Sequence, residues 1–431
     1  MGVLNPVDLT KGNIGPNILG SNDGIAGLIM HGVAVGGSIA LGETKEIFKL
    51  SDAEALGLDA DYDTTNEIQV WYHIKEFYRM IRKITGRESS RLYIMLIDNS
   101  VTATELDVTM EDIVEDAGGT MAQKLIEDAE GKIRWLGVAM NPAATYASTQ
   151  LDGLDADVVN AIPKAQLLAD WAWGSDQPLN IILEGREFNG TAAAAGDLRA
   201  IDGVKAENVS VAILQDYAYA EDLVALQQVH AAVGTILGVR AALRVHENIG
   251  EVERCNIEDI LKDAFTKVGL SNHELVSANL SELDTLDAKG YIFAYRYTNY
   301  DGVFINNDHT CTPIELDAEG NKNLHQMAYG AVVGKAKRVL RNALLPKVKT
   351  TQDIDATTGK LSTGAIKYFE GIGNTELNRM QTDGEISGGA TYVDPDSDLL
   401  NPPRVLNVDF AVVPRGTVDE ISGNINLKAS L

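Results

Sequence analysis

Two short stretches of this 431-residue chain contain residue types that perform chemistry in other proteins. The first, Asp308-His309-Thr310-Cys311, puts a thiol near an imidazole and a carboxylate, which are the groups of a nucleophile and its base. Immediate neighbours in sequence seldom reach that geometry, and Asp, Thr and the following Pro313 are typical of a turn. We therefore predict a turn here and assign no catalytic residue.

The second stretch, Gly330 to Ala336, resembles a phosphate-binding loop only in part. That loop needs four residues between its glycines and a Ser or Thr after the lysine to hold Mg²⁺. Here three residues separate Gly330 from Gly334, alanine follows Lys335, and the stretch lies inside a predicted helix. We predict that the glycines allow close helix packing and that the chain binds no nucleotide or other cofactor.

The histidine and cysteine spacings predict neither a metal site nor a disulfide framework. None of the seven histidines lies four residues from another, and Cys255 and Cys311 stand far apart without a CxxC spacing. We predict no metal site, no disulfide framework and a reducing compartment. The chain is accordingly predicted not to be an enzyme, and an α/β enzyme with an unrecognised active site stays open as the alternative.

The formal charge of −26 restricts the partners. Nucleic acids and anionic membranes both require a basic surface, so neither is expected. Residues 24–42 carry no formal charge, but their six glycines favour a buried strand followed by a turn over a membrane span. Because like charges repel copies of the chain, self-assembly would need specific contacts.

Alternating strand and helix patterns predict the fold class. Apolar runs at 92–97, 133–140, 179–183 and 209–214 read as buried strands, and residues 66–84, 157–173 and 221–237 read as helices. This order predicts an α/β body with a helix-covered, parallel or mixed sheet.

After about residue 290 the pattern changes: residues 291–297 and 302–305 read as paired strands, and residues 324–345 as a long helix. Strand patterns follow at 366–372, 385–393, 405–413 and 418–427. We therefore predict an α+β C-terminal domain.

Both ends of the sequence read as extended arms. The first twenty residues are rich in Gly and Pro, and the stretch beyond Pro414 has few large apolar side chains. Between these arms, six cations fall within fifteen residues that contain no acid: Lys335, Lys337, Arg338, Arg341, Lys347 and Lys349. Two readings stay open for them, namely compensation of a helix dipole and contact with an acidic partner.

This organisation resembles contractile tail sheath proteins of phages and related injection systems. The sharpest match is the run from Gly302 to Pro313, with its Asn- and Asp-rich turn, followed by the basic helix at 328–345 and Pro346. Two further matches are the short apolar strand at 25–29 and the ending, in which the strand at 405–413 leads through Pro414-Arg415-Gly416 into residues 418–427.

The resemblance implies a division into an N-terminal arm (1–22), an α/β outer body (23–308, possibly two subdomains), an inner, tube-facing α+β domain (309–413) and a C-terminal arm (414–431). It also implies that the arms add strands to the sheets of neighbouring subunits. The arm residues expected to do so are Val3, Leu4, Val7, Leu9, Val418, Ile421, Ile425 and Leu427. The basic helix, with Lys335, Lys337, Arg338 and Arg341, would face the tube or the next subunit.

The function implied by the resemblance is mechanical. Copies of the chain would polymerise helically around an inner tail tube and contract to drive that tube through a target envelope. The expected partners are other copies, the tube protein, and baseplate and terminator proteins. The expected location is a virion tail or injection apparatus assembled in the bacterial cytoplasm. Another virion or baseplate assembly protein stays open as a second alternative.

Overall fold

The computed structural model describes residues 22–98, 121–203, 205–402 and 404–427. Its α-helices, in chain order, are Leu50–Ala55 (α1), Ala60–Asn66 (α2), Val70–Thr85 (α3), Met121–Asp128 (α4), Ala156–Gly174 (α5), Tyr217–Ala220 (α6), Val233–Ala242 (α7), Leu283–Ala288 (α8), Met327–Leu344 (α9) and Thr363–Thr382 (α10). Its strands are Ala26–Gly32 (β1), Thr44–Ile47 (β2), Leu92–Asp98 (β3), Trp135–Ala139 (β4), Gln150–Leu151 (β5), Leu154–Asp155 (β6), Asn180–Glu184 (β7), Val209–Ala212 (β8), Leu214–Asp216 (β9), Val268–Leu270 (β10), Glu274–Leu275 (β11), Ala294–Tyr295 (β12), Phe304–Ile305 (β13), Ile386–Val393 (β14) and Val408–Pro414 (β15).

A six-stranded sheet forms the centre of the body, in the order β2-β3-β1-β4-β7-β8. Strands β3, β1, β4, β7 and β8 run parallel, and β2 closes the β3 edge in the antiparallel direction. The parallel strands are almost entirely buried, which explains why their sequences are continuous apolar runs. Their order is that of flavodoxin-like, doubly wound sheets. The predicted α/β body with a mixed sheet is therefore confirmed.

Helices α3 and α7 cross closely over this sheet. A Cβ atom added at Gly234 would lie 2.2 Å from the carbonyl oxygen of His73, and one added at Gly238 would lie 2.6 Å from that of Phe77. The crossing also buries an ion pair, because Arg79 is 2.6 Å from Glu76 and the Thr235 hydroxyl donates to the same carboxylate at 3.1 Å. Only glycine on α7 permits this approach of the two backbones.

The C-terminal part is built on a hairpin. Strands β14 and β15 pair in antiparallel register, and α10 packs against β14 at Gly373 and Thr391. A small second core lies there, formed by Leu361, Ala365, Phe369 and Val393. Helix α9 links the two regions: its buried residues belong to the main core, whereas Leu344 at its end packs against the second one. This region combines two helices with an antiparallel hairpin, and the inner-domain assignment and the domain boundaries stay predictions.

Three predicted elements differ from the structure. Residues 366–372 lie in α10 and not in a strand, because the Ser362 side chain caps the helix at Ala365 and the buried positions recur at helical spacing. The helix predicted at 221–237 begins only at Val233, since the N–H group of Ala231 just before it donates to the Glu184 carboxylate at the end of β7. Residues 418–427 form no strand in this chain. Among the described helices, none is long and apolar enough to cross a membrane.

The close helix crossing gives a test of the packing. Gly234→Ala should lower the free energy of unfolding by about 3 kcal/mol, because the new methyl group would push α3 and α7 apart. The matched control is Gly371→Ala on α10, where an added Cβ meets nothing within 4 Å. That variant should be neutral or slightly more stable, since alanine favours a helix by about 0.5–1 kcal/mol over glycine. Urea unfolding measures both, and equal stabilities of the two variants would contradict the crossing.

Candidate assembly surfaces

The carboxyl edge of the central sheet, where doubly wound proteins bind ligands, is filled by the chain itself. Glu184, at the end of β7, accepts hydrogen bonds from the backbone N–H groups of Met140 and Ala231. The Gln227 amide donates to the carbonyl of Pro142 at 3.1 Å. Burial raises the pKa of Glu184 to about 7, against the opposing effects of Arg186 and the two backbone donors. These contacts explain the late start of α7, since residues 224–232 seal this edge.

The predicted turn at Asp308 to Cys311 is held in a fixed network. Arg199 lies 2.8 Å from Nδ1 of His309, whose Nε2 is 2.8 Å from Asp287. An arginine only donates, so Nδ1 accepts and Nε2 carries the proton. Burial raises the pKa of the Cys311 thiol to about 12. The imidazole is thus already paired and the thiol stays protonated. Among the described residues, no group of three or more His, Cys, Asp and Glu residues could hold a metal ion.

Strand β15 is the exposed edge of the C-terminal hairpin. Within the described part of the chain it pairs with β14 alone, and Phe410 and Val413 on it are exposed. Exposed edge strands are templates for pairing with another chain, and proteins usually protect them with charges or bulges. An apolar groove of about 860 Å³ runs between β15 and α9, lined by Tyr329, Val333 and Leu340 among others.

The C-terminal arm leaves the hairpin directly after β15. Its predicted contact residues, Val418, Ile421, Ile425 and Leu427, are all strongly exposed and belong to no helix or strand. Their exposure shows that the arm buries little against its own subunit. The predicted N-terminal contact residues Val3, Leu4, Val7 and Leu9 lie outside the described residues.

The cations of α9 bind acids of the same chain. Lys335 is 2.5 Å from Glu385 and 2.9 Å from Asp23, and Arg338 is 2.5 Å from the other oxygen of Asp23. These side chains are at most 19% exposed. Burial tends to raise the pKa of Asp23, but the hydrogen bonds and charges of Lys335 and Arg338 hold it below the usual value. We call these four side chains the Lys335 cluster.

The remaining two predicted cations contact the end of α5. Lys337 lies over the Trp173 ring at 4.2 Å and is 3.4 Å from Asp176. Arg341 is 2.7 Å from the same carboxylate and remains partly exposed. A contact of the basic helix with the tube or a neighbour stays a prediction, and its cations also serve within the subunit. Sequence reasoning did not find their acidic partners, because Asp23 lies 312 residues before Lys335.

Comparison with solved structures defines the class of fold. A chain of the anti-feeding prophage (AFP) baseplate superposes with a TM-score of 0.59 at 11% identity, covering 98% of this chain and 99% of that one. The AFP helical sheath in the contracted state gives 0.58 at 12% identity, with the same coverage. The contracted sheath complex of the extracellular contractile injection system PVC gives 0.54 at 10% identity, covering 94% of this chain and 92% of that one.

The chain therefore has the fold of contractile sheath proteins, and the resemblance drawn from the sequence is confirmed at the level of fold. At the level of sequence, the family model described as "DUF2586, N-terminal domain" matches residues 7–309. The protein belongs to the DUF2586 family. No curated protein matches the sequence.

The Lys335 cluster predicts a folding effect that a surface cation would not show. Lys335→Glu should lower the free energy of unfolding by about 3 kcal/mol, because it leaves Asp23 and Glu385 partly buried beside a third negative charge. Lys349→Glu is the matched control, since Lys349 belongs to the same basic run but is exposed. That change should cost less than about 0.5 kcal/mol. Equal chemical-denaturation midpoints for the two variants would argue against the cluster.

Proposed function

We propose that this protein is the structural subunit of a contractile sheath. In this proposal copies of the chain polymerise helically around an inner tube, and contraction of the polymer drives the tube through a target envelope. The observation that carries the proposal is the near-complete match, over 98% of the chain, to the fold of an AFP chain described as a helical sheath. A likeness over the whole chain includes the C-terminal hairpin as well as the α/β body.

The proposed link between subunits is strand exchange. The free edge of β15 offers backbone groups that a neighbour's extended segment can pair with, and such pairing gains affinity from main-chain hydrogen bonds. The groove between β15 and α9 offers an apolar wall for that segment's side chains. The exposed arm residues Val418, Ile421, Ile425 and Leu427 suit this role, because each is apolar and free of contacts that exchange would have to break.

The proposed partners follow from the same assignment. They are further copies of the chain, an inner tail tube protein, and baseplate and terminator proteins, in a virion tail or injection apparatus assembled in the bacterial cytoplasm. A baseplate chain is among the structural matches. The proposed role is mechanical and not catalytic. Contacts of residues 224–232 at the edge where an α/β enzyme would bind substrate support it, as do the pairing of His309 with Arg199 and Asp287 and the raised pKa of the Cys311 thiol.

The arm provides the decisive experiment. Replacing Val418, Ile421, Ile425 and Leu427 by Ser in the full chain should abolish the tubes or rings that the wild type forms, as seen by negative-stain electron microscopy. Thermal unfolding of the body should be nearly unchanged, because these side chains are already exposed in the subunit.

Two further variants complete the design. Deletion of Thr417 to Leu431 should have the same effect as the four-serine variant. Asn424→Ser with Asn426→Ser is the control, because it alters the same segment but keeps all four apolar positions, and it should still polymerise. Normal tubes from the four-serine or deleted chain would refute strand exchange through this arm. A wild-type chain that stays monomeric even with a tube protein would refute the sheath assignment.

A further inference from the structure

A short turn on the α/β body presents two apolar side chains to solvent. Ile260 is 74% exposed and Leu261 98% exposed, and they occupy the tip of the turn between Asp259 and Ala264. Isolated exposed apolar residues are common. Two adjacent ones at the tip of a turn that is fixed in place indicate a contact site. We call residues 259–264 the Leu261 turn.

The Leu261 turn is held firmly in place. Asp259 and Ala264 exchange two backbone hydrogen bonds, at 2.9 and 3.0 Å, which close its base. Two cations hold the segment that leads into it: Arg79 donates to the carbonyl of Ile257 at 2.9 Å, and Arg296 is 2.6 Å from Glu258. A third, Lys83, donates to the carbonyl of Glu258.

The way out of the turn is strained. Asp263 and Phe265 both have left-handed backbone angles, with φ of +49° and +54°. Such a conformation is a genuine outlier for a bulky residue and persists only where the surroundings impose it. Two contacts provide that constraint: the Phe265 ring is buried, and the backbone N–H of Phe265 donates to the Asp216 carboxylate at 2.9 Å. The exposure of Ile260 and Leu261 therefore results from a turn conformation that its surroundings impose, and not from a frayed loop.

A basic cleft of about 270 Å³ lies beside the turn. Its lining includes Lys49, Lys75, Arg82 and Lys262, together with Arg79, which is already paired with Glu76. Glu88 is the acid that lines it, 3.5 Å from Arg82 and largely exposed. The acids that line the adjoining cleft are Glu258, which is paired with Arg296, Asp259 and Asp301, and Asp263 lies within the turn itself. A cleft with this excess of cations is a local reversal of sign in a chain with 62 acidic and 36 basic residues.

We propose that the Leu261 turn and this cleft form a contact between the bodies of two copies of the chain, in which the cations receive an acidic surface of the second copy and Ile260 and Leu261 pack against it. Charge complementarity selects this occupant. A chain of net charge −26 repels its own copies unless a contact places cations against acids. The inference rests on the proposed polymer and adds to it a body contact that is independent of the arms.

The test uses the full chain and measures the critical concentration for polymer formation by pelleting. Leu261→Asp should raise that concentration about tenfold, since it removes a leucine that the proposed contact buries and adds a negative charge to the interface. Folding should be unaffected, because the side chain is almost fully exposed. The control is Leu280→Asp, the same substitution at another exposed leucine, which should leave the concentration unchanged.

A second measurement uses the unmodified sequence. Polymer assembled from equal amounts of ¹⁴N- and ¹⁵N-labelled chains is treated with a carbodiimide, which joins lysines to carboxylates in direct contact. Peptides that link Lys262 or Lys49 of one label to an Asp or Glu of the other support the contact. The body contact alone is overturned if wild-type polymer lacks these peptides and if Leu261→Asp and Leu280→Asp change the critical concentration equally. If the wild-type chain forms no polymer, the sheath assignment falls and the contact falls with it.

Discussion

The ion pairs of Lys335 join three segments of this protein that are far apart in sequence. Asp23 lies just before β1, and Glu385 lies immediately before the C-terminal hairpin. One lysine on α9 neutralises both carboxylates in a largely buried position. Without it, desolvation and mutual repulsion of the acids would act against the packing of all three segments. The positions of the residues before β1 and of the start of the hairpin are thus set relative to one helix.

Around that junction the molecule combines a densely packed body with an open C-terminal edge. The body buries its parallel strands almost entirely, brings α3 and α7 into backbone contact at Gly234 and Gly238, and fills the edge at which doubly wound proteins bind ligands. The hairpin does the opposite, because β15 keeps a free edge beside an apolar groove. A stable body with an unsatisfied edge is suited to joining copies, since pairing there does not require the body to unfold.

The parts of the fold that sequence reasoning predicted are those governed by local pattern. Continuous apolar runs located β1, β3, β4, β7 and β8, and periodicity located α3, α5 and α9. The prediction was wrong at 366–372. A short segment of mixed apolar and charged residues fits a strand as well as one face of a helix, and only the Ser362 cap and the spacing to Leu377 distinguish them.

Contacts over long sequence distances were not predictable in this way. The basic run of α9 was visible, but its partners Asp23, Asp176 and Glu385 carry no signal in a single sequence. The Leu261 turn was missed for a related reason. Exposure of Ile260 and Leu261 depends on bonds from Arg79 and Arg296, and on a backbone angle at Phe265 that side-chain type alone disfavours.

Helix α9 has a further consequence as a mechanical element. Its 18 residues span about 27 Å, at about 1.5 Å per residue, and pack against the main core from Met327 to Leu340 and against the small core at Leu344. A tensile force applied to β15 would be transmitted to the body by helix α9 and by the Lys335 cluster. Ion pairs lose strength gradually with distance, unlike close-packed side chains, whose contacts vanish within an ångström. The Lys335 cluster would therefore tolerate a small displacement better than the close packing of the central sheet would.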